Sequence, residues 1–200
     1  QHHKTDAVIV VDDLASTMAA AIVTKKQGLI LAHLAAGTRS FDITMPKEIN
    51  RLVIDGLSDI LFTAGISNNA VANREGAELS KVYMVGNILI DNIRNNHARF
   101  TRPLILAEQG IKDGEYIVFT LNRKALMAAR ENLHRMLEAI ITAAGNTPII
   151  APLHTKTADT VTQLLPKDAT RFLITAPMGY LDFSYLASHA KGIITDSGNV

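Results

Sequence analysis

Segments with strand character and segments with helix character alternate along nearly the whole chain, and no other feature limits its fold so tightly. Ala7–Val11 (AVIVV) is a continuous β-branched run, the pattern of a strand buried in a parallel sheet. Residues 16–27 read as a helix with an Ala-rich face, ending in Lys25 and Lys26 with Gly28 as its stop. Residues 29–34 form a second buried strand, and Pro46–Leu57 a helix opened by its proline, with Ile49, Leu52, Val53 and Leu57 on one face. Strands at 59–63 and 82–85 flank a short helix over 68–74, and 87–93 turns helical. The second half repeats the plan. Helix 104–109 stops at Gly110 and a strand spans 116–121; the longest helix covers 125–144, with Leu126, Leu133, Met136, Leu137, Ile140 and Ile141 at helical spacing. Strands at 148–151, Phe172–Thr175 and Gly192–Thr195 then alternate with helices at 157–165 and 181–187. Such alternation implies right-handed βαβ crossovers and parallel sheets, an α/β fold of two Rossmann-like domains. The composition turns polar and basic over 92–103 (NIRNNHARFTRP), which puts the domain boundary between residues 1–97 and 98–200.

Composition excludes several classes of function. With 48% apolar residues, 20% charged and a net charge of +1, the chain has no basic bias to draw nucleic acid or an anionic membrane. No apolar run approaches the roughly 20 residues of a membrane span. The opening QHHKTD is polar and unlike a signal peptide; His2 and His3 fit a tag remnant or a natural linker equally well. The lack of cysteine rules out disulfides and thiolate catalysis and fits a reducing, cytoplasmic setting. Aromatic residues are only 5%, too few for a single-strand stacking platform. There is no GxGxxG for a nicotinamide or flavin, and the histidines are too scattered for a metal site, so no cofactor and no metal are expected.

Residues 33–51, HLAAGTRSFDITMPKEINR, leave an apolar run through a polar loop and enter a helix. Loops leaving the carboxyl ends of strands are where α/β proteins place ligand sites, though a solvated connector has the same composition. This stretch resembles the HVEAGLRSFDRSMPEEINR signature of the non-hydrolysing UDP-N-acetylglucosamine 2-epimerases. Further segments fit in order: VGNILID at 85–91, APLH at 151–154, GYLDF at 179–183 and TDSGN at 195–199. The resemblance covers nearly the whole chain. It implies a glycosyltransferase-B-like pair of Rossmann-like domains, incomplete at both ends, the chain being the central portion of a longer protein. It also implies a UDP-sugar substrate and a homodimer.

The reaction implied removes the C2 proton while UDP leaves C1, giving a bound glycal, then re-adds UDP with a proton on the opposite face. Such chemistry needs carboxylates of tuned pKa around the sugar and positive or N–H groups around the leaving diphosphate. By the resemblance, Asp13 takes the place of a carboxylate near the sugar; on the residues alone, Asp12 or Asp13 reads rather as the cap of the helix beginning near Ala15. Ala35 stands where the family has a glutamate, Lys47 where it has a catalytic carboxylate, and Asn122 where it has a histidine near the diphosphate. Glu48 keeps the family's second glutamate, but the next position on a helix points about 100° away. Losing one acid–base group typically costs about 10²–10⁴ in rate, so three altered positions weigh against ordinary activity.

Ligand-binding positions match more fully. By the resemblance, Arg123 is a retained ligand-binding position beside Asn122, and His154 has a phosphate or UDP-side role against the alternative of a surface or satisfied core histidine. Ser197 and Gly198 belong, by the same resemblance, to the loop that holds the β-phosphate, with Asn199 in place of its second glycine. Phe183 corresponds to an aromatic against the uracil, with plain helix packing as the competing reading. His33 borders the proposed cleft, and Arg39 and Arg51 either shape the floor of the site or pair with Asp42 or Glu48. The functions in competition are therefore an isomerase interconverting UDP-N-acetylglucosamine and UDP-N-acetylmannosamine for cell-surface polysaccharide, a catalytically impaired UDP-sugar-binding homologue, and a glycosyltransferase of the same architecture.

Overall fold

The structure is a computed structural model that describes residues 4–198. The chain forms two compact α/β units, one running to Arg94 and one beginning at Asn95. The first contains β1 (Ala7–Val11), α1 (Ala15–Lys26), β2 (Ile30–Ala36), α2 (Pro46–Leu57), β3 (Ile60–Thr63), α3 (Ile66–Arg74) and β4 (Val82–Met84), with α4 (Ile88–Asn96) crossing the boundary. Its strands are all parallel and ordered β1-β2-β3-β4, so each pairs with its neighbour in sequence. Right-handed connections in that order put successive helices on the same face. The expectation that Ala7–Val11 is buried throughout is corrected here. Val10 is buried in the small core with Ala21, Leu31 and Ile54, and Val8 packs half-buried against it, while Ile9 on the other face is 66% exposed. The run is apolar enough for two covered faces, but within this unit β1 is an edge strand.

Local chemistry sets the ends of these elements. Helix α1 closes through Gln27, and Gly28 follows at φ 72°, where a side chain would be strained. Lys25 in its last turn reaches Asp59 at 2.7 Å, and the same carboxylate accepts the Leu31 N–H at 2.8 Å, tying the helix end to the start of β2. Pro46 occupies the first turn of α2, where its missing N–H costs nothing.

The second unit contains α5 (Leu104–Glu108), β5 (Ile117–Thr120), α6 (Lys124–Ala128), α7 (Arg130–Ala144), β6 (Ile149–Pro152), α8 (Thr155–Leu164), β7 (Phe172–Thr175), α9 (Tyr180–Ser188) and β8 (Gly192–Thr195). Its parallel strands are ordered β7-β6-β5-β8, so the direction of winding reverses at β5. Both sheet faces are covered. On one, α7 and α8 bring Leu133, Leu137 and Val161 against Phe119, Ile149 and Phe172. On the other, α5 and α9 bring Leu106 and Leu186 against Tyr116, Val118 and Ile150. The single helix expected over 125–144 is in fact two, broken at Ala129 with φ −85° and ψ 67°. No glycine or proline marks the break, and alanine by itself favours helix, so nothing in the local sequence announces it.

Candidate functional site

Asp13, Asn122, Arg123, His154, Ser197 and Gly198 lie just beyond the carboxyl ends of strands, while His33 is within β2, Glu48 on α2 and Phe183 on α9. In the first, Asp13 follows β1 and is only 7% exposed. Neither aspartate caps α1: the N-cap position belongs to Leu14, without a side-chain cap bond, and Asp12 accepts the Asp13 N–H at 2.9 Å. The capping alternative is thereby removed. Instead, α2 presents Lys47 and Arg51 to the Asp13 carboxylate, at 3.1 Å and 2.7 Å, and Asn50 donates to the Asp13 carbonyl at 2.8 Å. Burial opposes ionisation of Asp13, but the two cations outweigh it and hold the carboxyl below the usual carboxylate range. The Lys47 side chain remains 57% exposed.

Glu48, expected among the acid–base groups, is instead 2% exposed and engaged on every side. It accepts the N–H groups of Ser40 and Phe41 at 3.0 and 2.9 Å and pairs with Arg51 at 3.1 Å. This pins the 37–45 loop to α2 and explains how Phe41 keeps a φ of 60°. Burial works against its ionised form, but the Ser40 and Phe41 amides lower its pKa all the same. Free rotation toward a substrate would break these bonds.

His33 and Arg39, expected at the cleft, meet at a residue the sequence did not single out. Asp55 on α2 lies 2.5 Å from His33 Nδ1, pairs with Arg39 at 2.7 Å and accepts the Gly37 N–H at 3.0 Å. Arg39, its side chain 1% exposed, also forms a fork with Glu75 through Nε at 2.9 Å and a terminal nitrogen at 2.5 Å. The arginine therefore pairs with neither Asp42 nor Glu48, and Asp42 is used locally by Thr44. Despite the cost of burial, His33, Gly37 and Arg39 together keep Asp55 ionised. One signal was available: Glu48, Arg51 and Asp55 fall on one stripe of α2, unusual for a face turned to the sheet. Gly37 is required sterically, since a Cβ there would sit 2.2 Å from the Asn68 carbonyl oxygen.

Ala35, in place of the family's glutamate, is exposed at φ 61°, where β2 shifts register against β3. It lines a hollow of about 130 Å³ with Ala64, Val85, Asn87 and Asp91. Asp91, from the VGNILID segment, is the acid at that hollow.

In the second unit, the loops leaving β5 and β8 flank the strand-order reversal, the position where open α/β sheets form a binding crevice. They are stitched together. The Asp196 carboxylate accepts the Asn122 N–H at 2.9 Å and the Arg123 N–H at 2.6 Å. The Asp196 carbonyl accepts Arg123 Nε at 3.0 Å. Beneath them the hydroxyls of Thr120 and Thr195 lie 2.7 Å apart, and Thr195 Oγ1 accepts the Ser197 N–H at 3.0 Å. An open hollow of about 630 Å³ adjoins these loops, with Phe119, Leu121 and Leu126 as apolar walls and Arg123, Ser197 and Gly198 at its polar side.

The remaining candidates on this edge are less tightly drawn in. His154 follows β6 at the N-cap of α8, exposed, with its imidazole not used as a cap. Phe183 is half-buried on α9 and packs against the Leu106–Tyr116–Leu186 cluster, which supports the helix-packing alternative. Asn199 lies outside the described residues. Among the described residues no cluster of His, Cys, Asp or Glu could hold a metal ion, and no helix is long and apolar enough to cross a membrane.

Comparison with known proteins agrees with this layout. A family model for UDP-N-acetylglucosamine 2-epimerase matches residues 1–200. A UDP-N-acetylglucosamine 2-epimerase homolog of Methanococcus maripaludis is 35% identical over 98% of this chain and 56% of its own. A UDP-2,3-diacetamido-2,3-dideoxy-D-glucuronate 2-epimerase of Pseudomonas aeruginosa is also 35% identical, over 98% of this chain and 55% of its own. Among solved structures, Methanocaldococcus jannaschii UDP-GlcNAc 2-epimerase in complex with UDP-GlcNAc and UDP is 32% identical, with a TM-score of 0.82 over 97% of this chain and 56% of that one. The Neisseria meningitidis enzyme, at 24% identity and a TM-score of 0.85 over 97% of this chain and 55% of that one, matches in fold. The chain thus spans about half the length of the relatives it matches. With its two parallel-sheet α/β units and a match running from its first residue to its last, the chain belongs to the UDP-N-acetylglucosamine 2-epimerase family.

Proposed function

We propose that the protein to which this chain belongs binds UDP sugars and interconverts UDP-N-acetylglucosamine and UDP-N-acetylmannosamine by elimination and re-addition of UDP, as a cytoplasmic homodimer supplying cell-surface polysaccharide synthesis. The observation that carries this reading is the stitched pair of loops after β5 and β8. They set Arg123 at the strand-order reversal, with no carboxylate paired to its terminal nitrogens among the described residues. A guanidinium so held suits a diphosphate, in the ground state and as it leaves carrying negative charge. The solved relative at 32% identity, described in complex with UDP-GlcNAc and UDP, supports the same ligand class. Asp13, held ionised, supplies the sugar-side carboxylate, and Glu48 serves as the clamp of its loop.

The Asp13–Lys47 ion pair favours a second reading, a UDP-sugar-binding homologue with impaired chemistry. A general acid or base works best with a pKa near the working pH, and Lys47 with Arg51 pulls Asp13 away from it. Incubating the full-length protein with UDP-N-acetylglucosamine in D₂O separates the two. Deuterium at C2 together with UDP-N-acetylmannosamine supports the isomerase; UDP binding without exchange supports the impaired homologue. Failure to bind UDP or either sugar nucleotide overturns both. The diacetamido-glucuronate nucleotide belongs in the same assay, because the Pseudomonas relative carries that name at equal identity.

A further inference from the structure

We infer that Asp196 is a positioning residue that aims the Arg123 guanidinium at the diphosphate; the inference rests on the UDP-sugar reading above. At first sight an aspartate is misplaced beside a diphosphate. Its carboxylate, however, is turned onto the backbone, accepting the Asn122 and Arg123 N–H groups at 2.9 and 2.6 Å. The Ser197 N–H donates to the Thr195 hydroxyl at 3.0 Å. Three amides that could have cradled a phosphate are thus already satisfied by the protein's own oxygens. The guanidinium is different. Its Nε donates to the Asp196 carbonyl at 3.0 Å, which fixes the plane of the group, while its terminal nitrogens have no protein acceptor among the described residues. Asp196 therefore acts twice on one arginine, once through the side chain on its backbone and once through the carbonyl on its side chain. A fork held in one plane loses less rotamer freedom on meeting a phosphate than a free one.

The test is UDP and uridine binding by calorimetry, using the full-length protein, Asp196→Ala, Asp196→Asn, Arg123→Gln and the Asp196→Ala/Arg123→Gln double variant. Uridine lacks the diphosphate and reports the integrity of the nucleoside pocket. Losing one charge-assisted contact weakens binding about 10- to 100-fold. Asp196→Ala is expected to weaken UDP by about that factor and leave uridine within about twofold, with Asp196→Asn intermediate because it retains shape and one acceptor. In the Arg123→Gln background, Asp196→Ala is expected to add less than about threefold, since the residue it positions is gone. Equal loss of UDP and uridine, full additivity of the two substitutions, or normal UDP binding by both Asp196 variants overturns the inference while leaving the UDP-sugar reading intact. Absence of UDP binding by the unaltered protein overturns that reading and this inference with it.

Discussion

The two units use the same βαβ grammar and reach different solutions. In the first, strands run β1-β2-β3-β4 without reversal, the apolar core is small, and buried charges organise the loops: Asp55 with His33 and Arg39, Glu48 with Arg51 and two amides. In the second, the order β7-β6-β5-β8 reverses at β5, both sheet faces are packed with apolar side chains, and the loops are joined by one carboxylate on backbone amides. Strand order explains part of the difference. A reversal opens a crevice between adjacent strand ends, so a few short contacts suffice to shape a site there. Without one, the long 37–45 loop must be held by buried ion pairs, whose cost in desolvation is repaid only while every partner is present.

The sharpest way to break this comparison is to remove one member of each framework. Asp55→Ala leaves Arg39 and His33 buried without their shared carboxylate and is expected to cost about 3–5 kcal/mol, read as a loss of denaturant stability of the first unit. Phe119→Ala, at a side chain 1% exposed and edge-on to Phe172, should cost about 3–5 kcal/mol in the second, whereas Ile9→Ala on β1 should change unfolding by less than about 0.5 kcal/mol. Equal sensitivity at Ile9 and Phe119 would show that the first unit's sheet carries more than its own burial indicates.

Gly37→Ala comes next. Its φ of 72° and the 2.2 Å approach of a Cβ to the Asn68 carbonyl oxygen demand a backbone shift, expected to cost at least about 1–3 kcal/mol and to loosen the Asp55 bond to the Gly37 N–H. Protection of that amide against hydrogen exchange is the direct readout.

Acid should separate the units without mutation. Asp13, Glu48 and Asp55 all have lowered folded-state pKa values, so each contributes stability that is fully present above its unfolded value of about 4 and is lost as pH falls through the folded value. The first unit is therefore expected to open before the second as pH is lowered below about 4, which limited proteolysis or amide exchange would register. Simultaneous opening would place its stability elsewhere. Lys47→Met acts on a titration more than on stability. Its exposed pair with Asp13 contributes at most about 1 kcal/mol, but removing the ammonium should raise the Asp13 pKa, a change visible in the carboxyl carbon shift on titration.

Local rules made much of the architecture legible. Proline at the first turn and an apolar face at helical spacing give α2 its limits of Pro46–Leu57, and β-branched runs mark Phe172–Thr175 and Gly192–Thr195. The same rules gave one long helix through Ala129, where the structure has two, and read Ala7–Val11 as buried, where Ile9 is open. Site residues were found by type and motif, not by partner. The resemblance assigns Glu48 and Arg39 to the ligand site, with an ion-pair role open for Arg39, and the structure encloses both in ion pairs.

What the sequence determined by itself is the alternation of strands and helices, and with it parallel sheets and polar loops at strand ends, because period, caps and turn residues act within a few positions of one another. Which carboxylate meets which distant cation or backbone amide was decided only by the tertiary structure. Asp55 meets Gly37 across 18 positions, Arg51 meets Asp13 across 38, and Asn122 meets Asp196 across 74. Such pairings follow from strand order and register, which bring distant loops to one edge and leave no trace in any local window.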